Sequence, residues 1–405
     1  MDLEEAGSRE ADMQAARQRE EMTLPLVAIA CLGLGGGGSV AGIARLQTEL
    51  LAPHLPVVAF SDSPPPQPWP HDFVPVSSRS FRWLRRFSHV PREWSSSVRL
   101  ARALRERAAA GGLGAAVLHS HALAAAAAPR LRAFRVPVAL IVHGDIRDRP
   151  PGTYDGRVTA FYRWATPRAY RSVDLLLVGS EAFARLVRSD PLVRARVVVL
   201  PSPVRVAELG PLGPPRQRAA GEPLHVGFVG RLAPEKGCRE LARALVQLHG
   251  KGVAIRSTWA GSGPLRAELE RLLAEGAPGG DHRFAGPVAR GELGALFCSF
   301  DLVAMPSLSE PQGLVAIEAQ LCGVPVVASR TGGLVDTVRP GRDGELAEPG
   351  DVAALSEALR RAAAGVESGR YRVPDREWLA RFDPEFYQGR LVEEIKRLIA
   401  MGVSR

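Results

Sequence analysis

The sequence predicts an α/β chain folded as two doubly wound parallel-sheet domains facing a cleft. Three observations carry that expectation. Short apolar runs alternate with amphipathic helical stretches along nearly the whole chain, the pattern of parallel strands joined by crossover helices. The alternation is interrupted once, by the Pro- and Gly-rich polar stretch 210–223, and then restarts. The 405 residues, 46% of them hydrophobic, suffice for a separate core in each half.

Taken in order, residues 1–21 are polar, charged and Gln-rich, and are expected to be a tail outside the fold or to precede a true start at Met22. The first domain, 23–212, has strand-like runs at 26–32, 57–60, 115–118, 136–142, 175–178 and 197–200. Helical patterns fall at 40–51, 96–109 and 159–170. The second domain, 213–375, has strand-like runs at 225–229, 254–259, 302–305 and 324–328. Its helical patterns fall at 239–248, 265–274, 290–297, 313–321 and 352–363. Residues 376–405 form a third, C-terminal segment. Ligands of such sheets sit beyond the carboxyl ends of the strands, so chemistry is expected in the cleft.

Three motifs lie at those strand ends. The run from Gly33 through Gly36, Gly37 and Gly38 to Ser39 follows the first strand and opens the first helix, where bare N–H groups can approach an anion. It also satisfies G-x-G-x-x-G, with Asp62 after the next strand mimicking the acid that holds a nicotinamide ribose, so a dehydrogenase is one reading. A run of four glycines satisfies almost any glycine pattern, and a flexible turn is another reading. In the second motif a strand ends at Gly230, Arg231 follows, and Lys236 stands at a helix start. Two cations in that place can neutralise a diphosphate. Lys236 is one of only three lysines in a chain that otherwise uses arginine.

The third motif runs from Pro306 through Glu310, Pro311, Gln312, Gly313 and Leu314 to Glu318. Eight residues of helix rise about 12 Å, so Glu310 and Glu318 do not form a close acid–base pair. They can hold hydroxyls at two ends of an extended ligand, with the Gly313 and Leu314 N–H groups meeting phosphate between them. Glu318 lies among apolar neighbours, where an unpaired carboxylate is costly.

Composition narrows the classes. The four cysteines form no C-x-x-C pair, which argues against a zinc site or disulfide framework and fits a reducing compartment. There is no Asn, hence no N-glycosylation acceptor. The net charge of +9 is concentrated in residues 23–212, which carry +12 against +1 for 213–405, so an anionic partner is expected to meet the first domain. No run approaches the roughly 18 apolar residues of a membrane span, which leads to the expectation of a cytoplasmic protein or one resting on a membrane surface. The segment 79–94 interleaves Phe81, Trp83, Phe87 and Trp94 with Arg79, Arg82, Arg85, Arg86 and Arg92. That pattern suits an anionic lipid surface or an anionic acceptor, and equally core aromatics with solvated arginines. No nucleic-acid-binding signature accompanies it.

The second half then resembles the retaining nucleotide-sugar glycosyltransferases of family 4 (group 1). The strings that carry the resemblance are G-R-L-x-x-E-K-G from Gly230, A-G-S-G-P-L from Ala260, F-A-G-P-V from Phe284 and P-S-x-S-E-P-x-G-L-V-x-x-E-A from Pro306. G-V-P-V-V-A-S from Gly323, T-G-G-L from Thr331 and D-G-E-L from Asp343 follow, all in order over about 130 residues. The resemblance implies two Rossmann-like domains, the GT-B fold, with the acceptor in the first and the donor in the second. It implies that Arg231 and Lys236 bind the donor diphosphate, Glu310 the transferred sugar and Glu318 the ribose. Gln312, Gly313 and Leu314 would complete the donor site, and Gly36 to Gly38 would close over the phosphate. His143 would stand near the reacting carbon, with His119 and His121 on an earlier strand end. It implies no cofactor and no required divalent metal, and a C-terminal helix at 384–399 crossing back to the first domain.

Two departures stand out. Pro201-Ser202-Pro203-Val204-Arg205 replaces the usual Asn-Gly-Val-Asp, and Gln312 stands where the family commonly has an aromatic residue. The three histidines could also be read as a metal site, although ligand spacing favours ordinary cleft histidines. The expected activity is retaining transfer of a sugar from a UDP- or GDP-sugar to a sugar, lipid-linked or other hydroxyl acceptor, in bacterial envelope polysaccharide or glycolipid synthesis. The alternatives are a nonhydrolysing sugar-nucleotide epimerase, a non-catalytic sugar-nucleotide-binding module and an NAD-dependent dehydrogenase.

Overall fold

The computed structural model describes residues 25–34, 39–76, 90–144, 156–216, 218–219 and 221–403. The expected glycine loop Gly36, Gly37 and Gly38 and residues 79–89 of the Arg/aromatic segment lie outside the described residues.

The first lobe runs β1 (Leu26–Ala30), α1 (Ser39–Leu51), β2 (Val57–Ser61), β3 (Asp72–Pro75), α2 (Val90–Ala109), β4 (Leu113–Leu118) and α3 (His121–Arg132). It continues with β5 (Val138–Val142), α4 (Gly156–Ser172), β6 (Leu175–Val178), α5 (Glu181–Arg188) and β7 (Arg196–Val199). Its strands form one parallel sheet in the order β3-β2-β1-β4-β5-β6-β7. The second lobe runs β8 (Leu224–Val229), α6 (Cys238–Gly250), β9 (Ile255–Ala260), α7 (Arg266–Gly276), β10 (Asp281–Gly286), α8 (Leu293–Cys298) and β11 (Leu302–Met305). Then come α9 (Leu314–Leu321), β12 (Val326–Ser329), α10 (Leu334–Thr337), β13 (Gly344–Ala347) and α11 (Val352–Glu367). This sheet is also parallel, in the order β10-β9-β8-β11-β12-β13.

Both faces of each sheet are covered, which is why β1, β5, β6 and β11 are apolar throughout rather than alternating. In the first lobe Ala28, Ala30, Ala116 and Leu118 pack on one face, and Val27, Ile29, Ala115 and Val117 on the other. Side-chain N-caps start several helices: Ser120 Oγ accepts from Leu123 N–H, Ser180 Oγ from Phe183 N–H and Asp351 Oδ1 from Ala354 N–H.

The chain crosses between lobes twice. Val204 and Leu209 already pack in the second lobe's core with Phe297, Phe300 and Ile317. The Pro/Gly-rich stretch lies along the second lobe, where Gly213 O accepts from Cys298 Sγ and Arg216 pairs with Asp301. After α12 (Arg376–Leu379), Leu379 and Phe382 still belong to that core. Helix α13 (Pro384–Val403) then returns to the first sheet, burying Tyr387, Leu391, Ile395 and Leu398 against Val27, Ile29, Ala115 and Val117. Tyr387 meets Gln47 on α1, and Gln388 Nε2 donates to Leu50 O at 2.8 Å. No helix among the described residues is long and apolar enough to cross a membrane.

Candidate active site

The carboxyl ends of the two sheets open onto a shared cleft lined by side chains of both lobes. From the first lobe it is lined by His143 after β5, Gly179 after β6 and Ser202 after β7. From the second it is lined by Lys236, Glu310 and the start of α9.

The turn Pro234–Lys236 positions Lys236, and Gly237, in the left-handed region at φ 65°, follows it. A Cβ on Gly237 would lie 1.8 Å from Pro306 O, so only glycine lets this loop lie against the one that carries Glu310. The backbones are joined again by Leu308 N–H donating to Glu235 O at 2.9 Å. The result is an ion pair between Lys236 Nζ and Glu310 Oε2 at 2.6 Å, both largely shielded from solvent. Glu310 is held from its other side: Gly333 N–H donates to Glu310 O at 2.7 Å, and a Cβ on Gly332 would meet that oxygen at 2.0 Å. The T-G-G-L string thus fixes the acid of a different motif. Gly313, at φ 88°, caps α9 and turns its first N–H groups to the cleft.

Other expected site residues are placed differently. Arg231 is not among the cleft-lining side chains; its guanidinium is half-exposed and pairs with the buried Glu235. Glu318 is buried on α9, and Arg290 Nη1 donates to its Oε1 at 2.9 Å. Burial pushes the Glu318 carboxyl up from its ordinary range and Arg290 pulls it back. Arg290 also holds Glu208, which in turn meets Arg205 in the segment that departs from the family pattern. Nothing in the local sequence around Arg290 marked it as the counterion of Glu318. Gln312 lines the cleft, but both polar atoms of its amide are engaged with Ser202 in the other lobe. Asp62 Oδ1 accepts from Gly33 N–H at 2.8 Å, so the supposed ribose acid instead holds the entrance to the glycine loop.

Across the cleft, His143 Nε2 lies 3.0 Å from His119 Nδ1 with the rings stacked, and His121 Nε2 lies 3.4 Å from Tyr170 Oη. Among the described residues no group of three His, Cys, Asp or Glu is arranged to hold a metal ion. Burial, with His121 as the second cause, lowers the His143 pKa to about 4, and burial pushes His119 down as well. Both imidazoles are therefore neutral near pH 7. The unfolded chain binds the proton that folded His143 refuses, so stability is complete above about pH 6.5 and falls as pH drops toward 4. The loss reaches about 3 kcal/mol for His143 alone. Urea midpoints at pH 7 and 4.5 should fall further in the wild type than in His143→Gln; equal drops would refute the assignment.

Residues 37–203 match the model of the glycosyl transferase 4-like domain, and residues 223–364 match that of glycosyl transferases group 1. The chain belongs to the group 1 glycosyltransferases. Within the family, it is 34% identical over 239 residues to a 2-deoxystreptamine glucosyltransferase of Streptomyces kanamyceticus, a match covering 55% of this chain and 59% of that one. It is 37% identical over 178 residues to a D-inositol 3-phosphate glycosyltransferase of Mycobacterium marinum, covering 43% and 38%. The chain thus spans about half the length of the curated relatives it matches. Sucrose-phosphate synthase of Thermosynechococcus elongatus superposes with a TM-score of 0.76 at 22% identity, over 93% of this chain and 99% of that one. HepE of Anabaena, solved with UDP-glucose, gives 0.69 at 18%, over 92% and 100%. These solved structures share the two-domain GT-B fold with this chain.

Proposed function

We propose that this group 1 glycosyltransferase moves a sugar from a nucleoside diphosphate donor to a hydroxyl acceptor, with retention of anomeric configuration. The observation that carries the reading is the Lys236–Glu310 pair at the mouth of α9, facing His143 across the interlobe cleft. A donor lying there would set its diphosphate against Lys236 and the α9 N-terminus. Its sugar hydroxyls would meet Glu310, and its ribose would reach Glu318 only past Arg290, since that acid is buried and does not line the cleft. The bond between the anomeric carbon and the phosphate oxygen breaks as the acceptor oxygen bonds to the same face of that carbon, and the acceptor proton passes to the departing phosphate. Lys236 and the helix N–H groups stabilise the charge that develops, the role a divalent metal fills elsewhere, so none is required. Arg231 would contribute from the rim after leaving Glu235.

Neutral His143 would accept or donate a hydrogen bond at the sugar without carrying charge toward a cation-like transition state. The acceptor would enter over the first lobe, whose positive charge suits an anionic or lipid-linked substrate at the cytoplasmic membrane face. Trp94, edge-to-face with Trp164 and Phe161, stands at the described end of the Arg/aromatic segment that would rest on that surface. Names of relatives that include glucosyl- and glycosyltransferases support the class, and envelope polysaccharide or glycolipid synthesis is the process we infer for such an acceptor.

The test is a melting-temperature screen against UDP- and GDP-sugars and NAD, followed by nucleoside diphosphate release and NMR of the product. A rise with a sugar nucleotide and a product of unchanged anomeric configuration is expected. Stabilisation by NAD alone would overturn the reading, as would donor conversion without acceptor, the mark of an epimerase. Binding with no turnover would leave only a binding module.

A further inference from the structure

Gln312 lies in the loop between Glu310 and Gly313, yet its amide points across the lobe boundary. Its Nε2 donates to Ser202 O at 2.8 Å and its Oε1 accepts from Ser202 N–H at 2.8 Å. Both residues are buried. A side-chain amide that satisfies the N–H and C=O of one residue makes a two-point contact, fixing orientation as well as distance. Gly179 keeps the space clear, because a Cβ there would lie 2.7 Å from Gln312 Oε1.

Two further bonds cross the same seam. Ser180 Oγ donates to Pro311 O at 2.7 Å, and Asp336 Oδ2 on α10 accepts from Ala182 N–H at 2.8 Å. Thr337 Oγ1 on the same helix donates to Gln312 O at 3.2 Å. The Gln312 and Pro311 bonds thus join the 310–313 loop to the ends of β7 and β6, and the Asp336 bond joins α10 to the start of α5 beside them. Strand β6 is the neighbour of β5, whose end carries His143. The two places where the sequence departs from the family pattern, Gln312 and the segment after Pro201, are thus in direct contact.

We propose that Gln312 is a positioning residue that registers the donor-holding loop on the first lobe, so that lobe closure brings Glu310 opposite His143. The proposal rests on the glycosyltransferase reading above. Its consequence is a separation of binding from chemistry. Lys236, Glu310 and the α9 N-terminus all belong to the second lobe and keep their places when the amide is removed, whereas the alignment with His143 depends on the seam. Each neutral hydrogen bond contributes only about 1 kcal/mol net, but removing the amide also strands the buried Ser202 N–H and C=O.

The experiment compares wild type with Gln312→Ala, and with Gln312→Glu, which keeps the size but as a carboxylate cannot donate to Ser202 O. Asp336→Ala weakens the same seam without touching the 310–313 loop. Affinity for UDP and GDP is measured by calorimetry, nucleoside diphosphate release from UDP- and GDP-glucose by coupled assay, and radius of gyration by X-ray scattering. For both Gln312 variants we expect nucleotide affinity within about threefold of wild type, turnover at least tenfold lower, and a larger ligand-free radius. Asp336→Ala should move the last two in the same direction. Affinity and turnover falling together would make Gln312 a donor contact or a mere fold support, and an unchanged radius and turnover would remove the latch. If the wild type binds neither nucleotide, the function reading fails, while the scattering comparison still decides whether the seam holds the lobes.

Discussion

Lys236→Ala is expected to lower sugar transfer by about 10²–10³-fold, a loss of roughly 3–4 kcal/mol of transition-state stabilisation. The ammonium is the cation that lines the cleft at the Glu310 loop, and its setting is rigid: a short helical turn before it, a left-handed glycine after it, and a neighbouring loop packed backbone against backbone. Such a preorganised charge in a shielded site costs no reorganisation when negative charge develops on the departing diphosphate. Its removal acts twice, because Glu310 then keeps a carboxylate at the phosphate with no counterion 2.6 Å away. Donor KM should therefore rise as kcat falls. Lys236→Arg should recover only part of the loss, since a planar fork does not fill the place of a compact ammonium. Arg231→Ala should cost less than Lys236→Ala, because that guanidinium is half-exposed and already paired with Glu235. Initial rates across a range of donor concentrations check all three, and unchanged kinetics in Lys236→Ala would remove its diphosphate role.

The reasons for these effects were unevenly visible in the sequence. All ten strands expected from apolar runs are present, and the three the pattern missed, β3, β10 and β13, are sheet edges. Two of these edges are not buried like central strands: Asp72–Pro75 has no buried residue and is bounded by an acid and a proline, and Asp281–Gly286 opens with three polar residues. Gly344–Ala347 is buried, but it includes Glu345, which is held by Arg361 and Arg370 from elsewhere in the chain. Helix α3 escaped for the opposite reason: its alanines are buried nearly all round, so no polar face sets off an apolar stripe.

At the site, motif spacing singled out Lys236, Glu310 and Gly313, which the fold brings to one cleft because Lys236 follows the end of β8 and the other two follow the end of β11. Partners from distant segments were not legible. Arg290 reaches Glu318 only because the loop after β10 passes over α9, and Gln312 reaches Ser202 only because the lobes meet. Asp62 misled for a related reason: the spacing that suits a ribose acid also suits an acceptor for the N–H of Gly33.

Glu310→Gln gives the second large effect, and its value lies in combination with Lys236→Ala. The substitution keeps the size and the backbone grip of Gly333, so the melting temperature should barely change. Turnover should fall by about 10²-fold, as for loss of one preorganised polar contact to a transition state. If Glu310 and Lys236 bound separate parts of the donor independently, the two losses would multiply in the double variant. Groups in direct contact instead show interaction energies of about 0.5–3 kcal/mol. Each of these side chains orients the other through a 2.6 Å ion pair, so either single substitution already releases its partner. The double variant should therefore be little worse than Lys236→Ala alone. Fully multiplicative losses would mean that the pair parts when donor binds and that each side chain then acts by itself. No loss in Glu310→Gln would mean that the acid serves only to hold the lysine, and the sugar hydroxyls would have to be held by other groups.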